Sequence, residues 1–239
     1  ADPAAAGRDP RVLDVVDTHN LNPEDITVGQ VSPACGRAAM EWVTRAGEMA
    51  LAGVVEAMAT APLNKEAASL AGYKSIGHTE MLHQLTGSKE VGTMLMAKNL
   101  RVVHLTTHRS LRLACGYVKK DRILEFLQLT HDSFVKWGVP HPRIAAAALN
   151  PHGSDGGLMG NEEAEEIAPA VAEAQARGID AVGPIPADIV YHQAIQDRYD
   201  VVLAMFHDQG HIAVKVYGFE ESITANLGLP FVRTSVDHG

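Results

Sequence analysis

Cysteine is scarce in this 239-residue chain: Cys35 and Cys115 are the whole supply, and they are not spaced as C-x-x-C. The sequence therefore offers neither a disulfide framework nor a thiolate metal site, and a reduced, cytoplasmic setting fits it best. Positive charge is also in short supply, with 20 Lys and Arg against 29 Asp and Glu and a formal net charge of -9. No basic patch large enough to neutralise several phosphates can be read, which excludes nucleic acid and anionic membrane as partners. A few local cations still suffice for a small anionic substrate. Long apolar runs are missing: no uncharged stretch approaches the roughly 18 residues of a membrane span. The first residues, Ala1-Asp2-Pro3-Ala4-Ala5-Ala6-Gly7, lack the basic-then-apolar pattern of a leader. Neither a repeat period nor a low-complexity tract appears. The absence of an initiator Met and the abrupt stop at Val236-Asp237-His238-Gly239 suggest that both ends are missing.

What is present is length enough for a large core, in one α/β domain or two smaller lobes whose boundary the sequence does not mark. Residues 1–30, rich in Pro, Asp and Asn, read as mostly irregular. Ser32 and Pro33 are a good N-cap and first-turn pair for a helix whose apolar face, Met40, Val43, Ala46, Met49 and Ala50, lasts until Gly53. Strands are expected over 54–60, 92–96, 102–106, 143–149 and from Val201 onward. Short helices are expected over 64–71 and from Gly77 through Leu85. The clearest amphipathic helix spans 121–137 and stops at Gly138, and another opens at Asn161-Glu162-Glu163 and runs to Gly178. Alternating strands and helices predict an α/β fold with a substantial parallel component.

The chemistry concentrates where strands end. Val201-Val202-Leu203 delivers Ala204-Met205-Phe206-His207-Asp208-Gln209-Gly210-His211, expected as a polar turn closed by Gly210. Likewise 102–106 runs into Thr107-His108, and 143–149 empties into Asn150-Pro151-His152-Gly153-Ser154-Asp155. Three neutral imidazoles converging on one point would hold a catalytic divalent ion and leave a position open for substrate. Each histidine read alone fits a hydrogen-bonded structural role better than a ligand role, and the repeated context is what raises the ligand reading to equal standing. Asp208 and Asp188 are placed to orient an imidazole or move protons, or simply to cap a helix or sit in a solvated turn. Lys215, Arg233, His78 and Thr79 offer charge and hydrogen bonds to a phosphate or carboxylate. The glycines of 153–160 permit close backbone approach to an anion, although they match neither G-x-G-x-x-G nor a P-loop.

Seven ordered blocks then resemble one family. They are Gly77-His78-Thr79-Glu80; Thr107-His108; Leu149-Asn150-Pro151-His152; Gly156-Gly157 with Gly160-Asn161-Glu162-Glu163; Gly183-Pro184-Ile185-Pro186-Ala187-Asp188; Met205-Phe206-His207-Asp208-Gln209-Gly210; and the run from Leu227-Gly228-Leu229-Pro230 through Arg233 to Gly239. Together they resemble the 4-hydroxythreonine-4-phosphate dehydrogenase (PdxA) family from about residue 54 onward. The resemblance implies an isocitrate/isopropylmalate-dehydrogenase-like fold of two α/β lobes with largely parallel sheets. It also implies a homodimer with active sites at the subunit interface, NAD or NADP, and one divalent metal ion, zinc first with Mg, Co, Mn or Ni as alternatives. Carried over, His108, His152 and His207 are metal ligands shared across the dimer. His78, Thr79, Lys215, Thr224 and Arg233 contact substrate; Asp208, Asp188 and Lys215 serve catalysis; Asn226 and Asp237 contact the cofactor.

Two departures bear on the substrate. Ile223-Thr224-Ala225-Asn226 stands where the family has Val-Asn-Ile-Thr, and Gly153-Ser154-Asp155 where it has Ala-Gly-Glu. These bring the chain nearer the subfamily acting on four-carbon acid phosphates such as 4-phospho-threonate or 4-phospho-erythronate. The implied reaction is oxidation of a secondary alcohol followed by decarboxylation of the β-keto acid. Alternatives are a dehydrogenase of aromatic cis-dihydrodiol carboxylates on the same scaffold, or a non-catalytic protein binding metal or a phosphometabolite.

Overall fold

The structure, a computed structural model, describes residues 7, 9, 11–74 and 77–236. In chain order its principal elements are α1 (Pro33–Leu51), β1 (Ala57–Thr60), α2 (Lys65–Leu70), α3 (His78–Thr86), β2 (Gly92–Ala97), β3 (Leu100–His104), α4 (Leu111–Gly116) and α5 (Lys120–Lys136). They continue with β4 (Ile144–Ala147), α6 (Ala168–Ala176), β5 (Ala181–Ile185), α7 (Ala187–Ile195), β6 (Val201–Ala204), α8 (His207–Gly218), β7 (Ile223–Leu227) and β8 (Val232–Val236). The chain divides into two compact units, one of residues 1–89 and 229–235, the other of residues 90–228 and 236–239.

The first unit is built on α1. Ser32 caps it, its hydroxyl accepting from the Cys35 N–H at 3.5 Å with Pro33 in the first turn. Gly36 lets α2 approach: a Cβ there would lie 2.1 Å from the Ala67 carbonyl oxygen. Met40, Ala68 and Met81 form the small core shared by α1, α2 and α3. β1 and β8 pair in parallel, Ala57 opposite Val232 through Thr60 opposite Ser235.

The second unit carries six strands in the order β7-β2-β3-β6-β4-β5. β2 runs antiparallel to both β7 and β3, whereas β3, β6, β4 and β5 are mutually parallel. Successive side chains of a strand point to opposite faces, and two cores result. Val103, Ile144, Ala146, Val201 and Leu203 pack with Ile123, Leu127 and Phe134 of α5 and Val171 of α6. Val102, Ala145, Ala147, Val202 and Ala204 pack with Val190 of α7 and Val214 of α8. With both faces covered, these strands can be apolar throughout, as β4 and β6 are.

The expected α/β class with parallel strands is observed. One local reading changes, and strands appear where none was expected. His207-Asp208-Gln209-Gly210 is not a turn closed by glycine: α8 begins at His207 and continues through Gly210 to Gly218. Residues 181–185, which contain Pro184, form strand β5 at the end of the strand order, where a missing N–H is tolerated. The polar-looking 223–227 segment is strand β7.

Candidate active site

Because β3, β6, β4 and β5 are parallel, their carboxyl ends share one edge. His108 follows β3, His207 follows β6, His152 follows β4 and Asp188 follows β5. The four residues are therefore ranked along that edge in strand order, at spacings set by strands about 4.8 Å apart. This is where open α/β sheets present their ligands' sites. Backbone bonds continue the stitching past the strands, Leu105 N–H to Ala204 carbonyl at 2.8 Å and Ala148 N–H to Ile185 carbonyl at 2.7 Å. Gln209 cross-links the edge: its Oε1 accepts from the Met205 N–H and its Nε2 donates to the Ala148 carbonyl, both at 2.7 Å.

At the start of α8 lies a cluster of four imidazoles. His207, His211 and Lys215, each four residues apart, occupy one helical face. The His207 and His211 rings are stacked, with centroids 3.6 Å apart and planes 11° apart. His108 approaches His207 with a centroid separation of 5.5 Å. His104, on the α8 side of β3, is 4.4 Å from His211 by centroids, and its Nε2 lies 3.0 Å from His211 Nδ1. Burial first, then repulsion from His211, pushes the His104 pKa down to about 3, so the ring is neutral. Asp208 Oδ1 lies 2.6 Å from His207 Nδ1. A cavity of about 290 Å³ opens beside these groups, lined by Thr107, His108, Leu111, Phe206, His207 and Asp208, with Arg109 also on its wall and stacked 4.4 Å over Tyr117.

His152 sits in an unusual turn. His152, Gly153, Ser154, Asp155 and Gly156 all have left-handed backbone, with φ between 45° and 75°. Three of the five carry a Cβ, at a cost of roughly 1–2 kcal/mol each. Buried Glu163 offsets this by anchoring the entry to the turn: its Oε1 accepts from the Leu149 and Asn150 N–H groups at 2.8 and 2.7 Å, and its Oε2 from Asn150 Nδ2 at 2.9 Å. Asp155 Oδ2 approaches His152 Nδ1 at 3.2 Å. Within one chain, no three His, Cys, Asp or Glu among the described residues come together to hold a metal ion. The structure brings His108 and His207 to one cavity and leaves His152 outside its lining.

The donor chemistry nonetheless suits a divalent ion. Carboxylates on Nδ1 of both His207 and His152 fix the tautomer that leaves Nε2 as the ligand, the arrangement typical of metal-binding histidines. Sequence reasoning missed His104, placed Gln209 and His211 in the polar stretch after β6 without giving either a role, and read Glu163 only as a helix-opening acid and part of a family block. The parity of Val102-Val103-His104 with the buried face of β3 is the signal that could have found His104.

The model for "Pyridoxal phosphate biosynthetic protein PdxA" matches residues 2–239. The chain belongs to the PdxA family. A relative from Fusobacterium nucleatum named "Putative D-threonate 4-phosphate dehydrogenase" is 47% identical over 95% of this chain and 68% of its own length. One of the same name from Halalkalibacterium halodurans is 45% identical over 95% and 68%. Among solved structures, a 4-hydroxythreonine-4-phosphate dehydrogenase from Klebsiella pneumoniae superposes with TM-score 0.93 at 43% identity, covering 99% of this chain and 72% of that one. A terephthalate 1,2-cis-dihydrodiol dehydrogenase from Burkholderia xenovorans gives 0.72 at 28%, covering 94% and 71%. All are named as dehydrogenases, and the oxidoreductase class read from the sequence agrees.

The remaining PdxA-pattern residues fall as follows. In the first unit, His78 and Thr79 form the first turn of α3, and Arg233 on β8 is buried, donating to Thr60 Oγ1; burial lowers its pKa to about 10. In the second, Lys215 Nζ lies 5.3 Å over the Phe219 ring, half-buried Thr224 is on β7, and exposed Asp188 is in the first turn of α7. Asn226 is buried, and its Nδ2 donates to the Gly92 carbonyl at 3.4 Å. Asp237 lies outside the described residues. No helix among the described residues is long and apolar enough to cross a membrane.

Proposed function

We propose that this PdxA-family chain, as a homodimer, oxidises the secondary alcohol of a phosphorylated four-carbon hydroxy acid with NAD or NADP, and that the β-keto acid product then loses carbon dioxide. The observation that carries the reading is the single edge on which His108, His207, His152 and Asp188 stand in strand order. His108, His207 and His152 would hold a divalent ion, zinc first, through their Nε2 atoms. A bound ion would supply the Lewis acidity that makes a substrate hydroxyl acidic at neutral pH.

The chain's own residues do the rest. Asp208 and Asp155 hold the imidazoles by Nδ1, so that neither ring turns its N–H toward the substrate. Asp188, exposed at the same edge, or Asp208 takes the substrate hydroxyl proton; a bound nicotinamide would supply the hydride acceptor. Lys215, in line with His207 and His211 on α8, returns a proton to the carbon from which carbon dioxide departs. His78, Thr79, Thr224 and Arg233 bind the substrate's anionic ends, with Asn226 and Asp237 toward the cofactor.

The homodimer is supported by α8, whose outer surface exposes Ile212, Val216 and Phe219 at 60%, 83% and 66%. A ridge of this kind at i, i+4 and i+7 on a helix that starts at the site suits a self-complementary contact. His152 of a second chain could then complete the ligand set that one chain leaves open.

The identities of 47% and 45% to relatives named "Putative D-threonate 4-phosphate dehydrogenase" favour an acid phosphate over the aromatic dihydrodiol of the 28% neighbour. A panel of 4-phospho-threonate, 4-phospho-erythronate, 4-hydroxythreonine 4-phosphate and a cis-dihydrodiol carboxylate, each with NAD or NADP and zinc, tests the reading through the absorbance of reduced nicotinamide. Reduction with the phosphorylated acids supports it. Reduction with the dihydrodiol alone, or with none, overturns it.

A further inference from the structure

We infer that His211, locked by His104, is the positioning residue that sets the plane of the His207 imidazole; this deepens the reading of His207 as a metal ligand and rests on it. Asp208 alone cannot fix that ring, because its side chain is 73% exposed and free to follow the imidazole as it turns about the Cβ–Cγ bond. The stack with His211, at 3.6 Å and 11°, removes that freedom.

The stack is itself held from behind. His211 Nδ1 lies 3.1 Å from the His207 carbonyl oxygen and 3.0 Å from His104 Nε2. A carbonyl can only accept, so the proton belongs on His211 Nδ1, where it faces two acceptors at once. His104 must then present a bare Nε2 and carry its own proton on Nδ1. His104 is 1% exposed, so close packing restrains its side chain.

The contact exists because residue 210 is glycine. A Cβ at that position would sit 2.4 Å from His104 Nε2 and 2.7 Å from Val102 Cγ1, so any side chain would drive α8 and β3 apart. Gly210 sits within α8, where glycine is a poor helix former, and the close approach of His211 to His104 accounts for it there. Ligand-orienting partners of this kind typically change metal affinity by about 10–100-fold when removed.

The test uses the metal-free full chain, titrated with zinc, alongside long-range nitrogen-proton NMR of its histidines. His211→Ala is expected to weaken zinc binding by about 10–100-fold with an unchanged far-UV spectrum, and His211→Phe, which keeps a flat ring without the donor, to recover only part of the loss. In the wild type, His211 and His104 are both expected as the Nδ1–H tautomer. Wild-type zinc affinity in His211→Ala while His207→Ala loses it overturns this inference alone, as does an Nε2–H tautomer at His211. Wild-type affinity in His207→Ala overturns the ligand reading and this inference with it.

Discussion

Acidification should destabilise the metal-free protein through His104. An ordinary histidine, as in the unfolded chain, takes up a proton near pH 6.5, whereas in the folded protein burial and neighbouring imidazoles hold His104 neutral until about pH 3. Between those values the unfolded state binds the extra proton, so stability is complete above the upper value and is lost as pH falls. Each pH unit in that window is worth about 1.4 kcal/mol, so moving from about pH 7 to about pH 5 removes about 2 kcal/mol through this one residue. Urea unfolding followed by far-UV circular dichroism, with chelator present, measures the loss. His104→Gln keeps a polar group and cannot titrate; its loss over the same interval should be smaller by that amount, since every other titrating group is shared. Equal losses in the two proteins would refute the reasoning.

Three further outcomes follow from the geometry. Gly210→Ala should cost about 1–3 kcal/mol by overpacking against His104 and Val102, read as a lowered urea midpoint together with weakened zinc binding; unchanged stability would mean that α8 does not press on β3 as described. Glu163→Ala removes an acceptor shared by three donors and should destabilise by about 3 kcal/mol while loosening the His152 turn, detectable as faster amide exchange at Leu149 and Asn150; protected amides at both would contradict the anchoring role. If the proposed homodimer forms through α8, Val216→Asp on its apolar ridge should leave a monomer in sedimentation where the wild type is a dimer, with the fold intact; equal sedimentation of the two proteins would contradict an interface on α8.

How much of this could be read in advance differs by element. The helix now seen as α5 was legible because its apolar stripe of Ile123, Leu124, Leu127 and Phe134 faces a single core and Gly138 follows its end. The placement of histidines after strands was legible too, since β4 and β6 are short apolar runs and polar residues follow each of β3, β4 and β6. Their sharing one edge required the strand order, which no local pattern encodes. The start of α8 was misread because Gly210 looks like a turn residue and only its contact with His104, more than 100 residues away in sequence, explains it. β5 was hidden by Pro184, tolerated at the end of the strand order. The left-handed turn at His152 was beyond reach, because Ser154 and Asp155 have no intrinsic reason to adopt positive φ until Glu163 holds the turn's entry.

The most direct test of the central claim is complementation between inactive variants. One chain gathers His108 and His207 but not His152, so His152→Ala and His207→Ala should each be inactive alone with zinc, nicotinamide cofactor and 4-phospho-threonate. Unfolded together and refolded as a mixture, they should regain activity, because half of the randomly paired dimers contain one intact site. The expected recovery is about a quarter of wild type. No activity above that of the separate variants, or full activity in either variant alone, would contradict an active site whose imidazoles are shared between two chains.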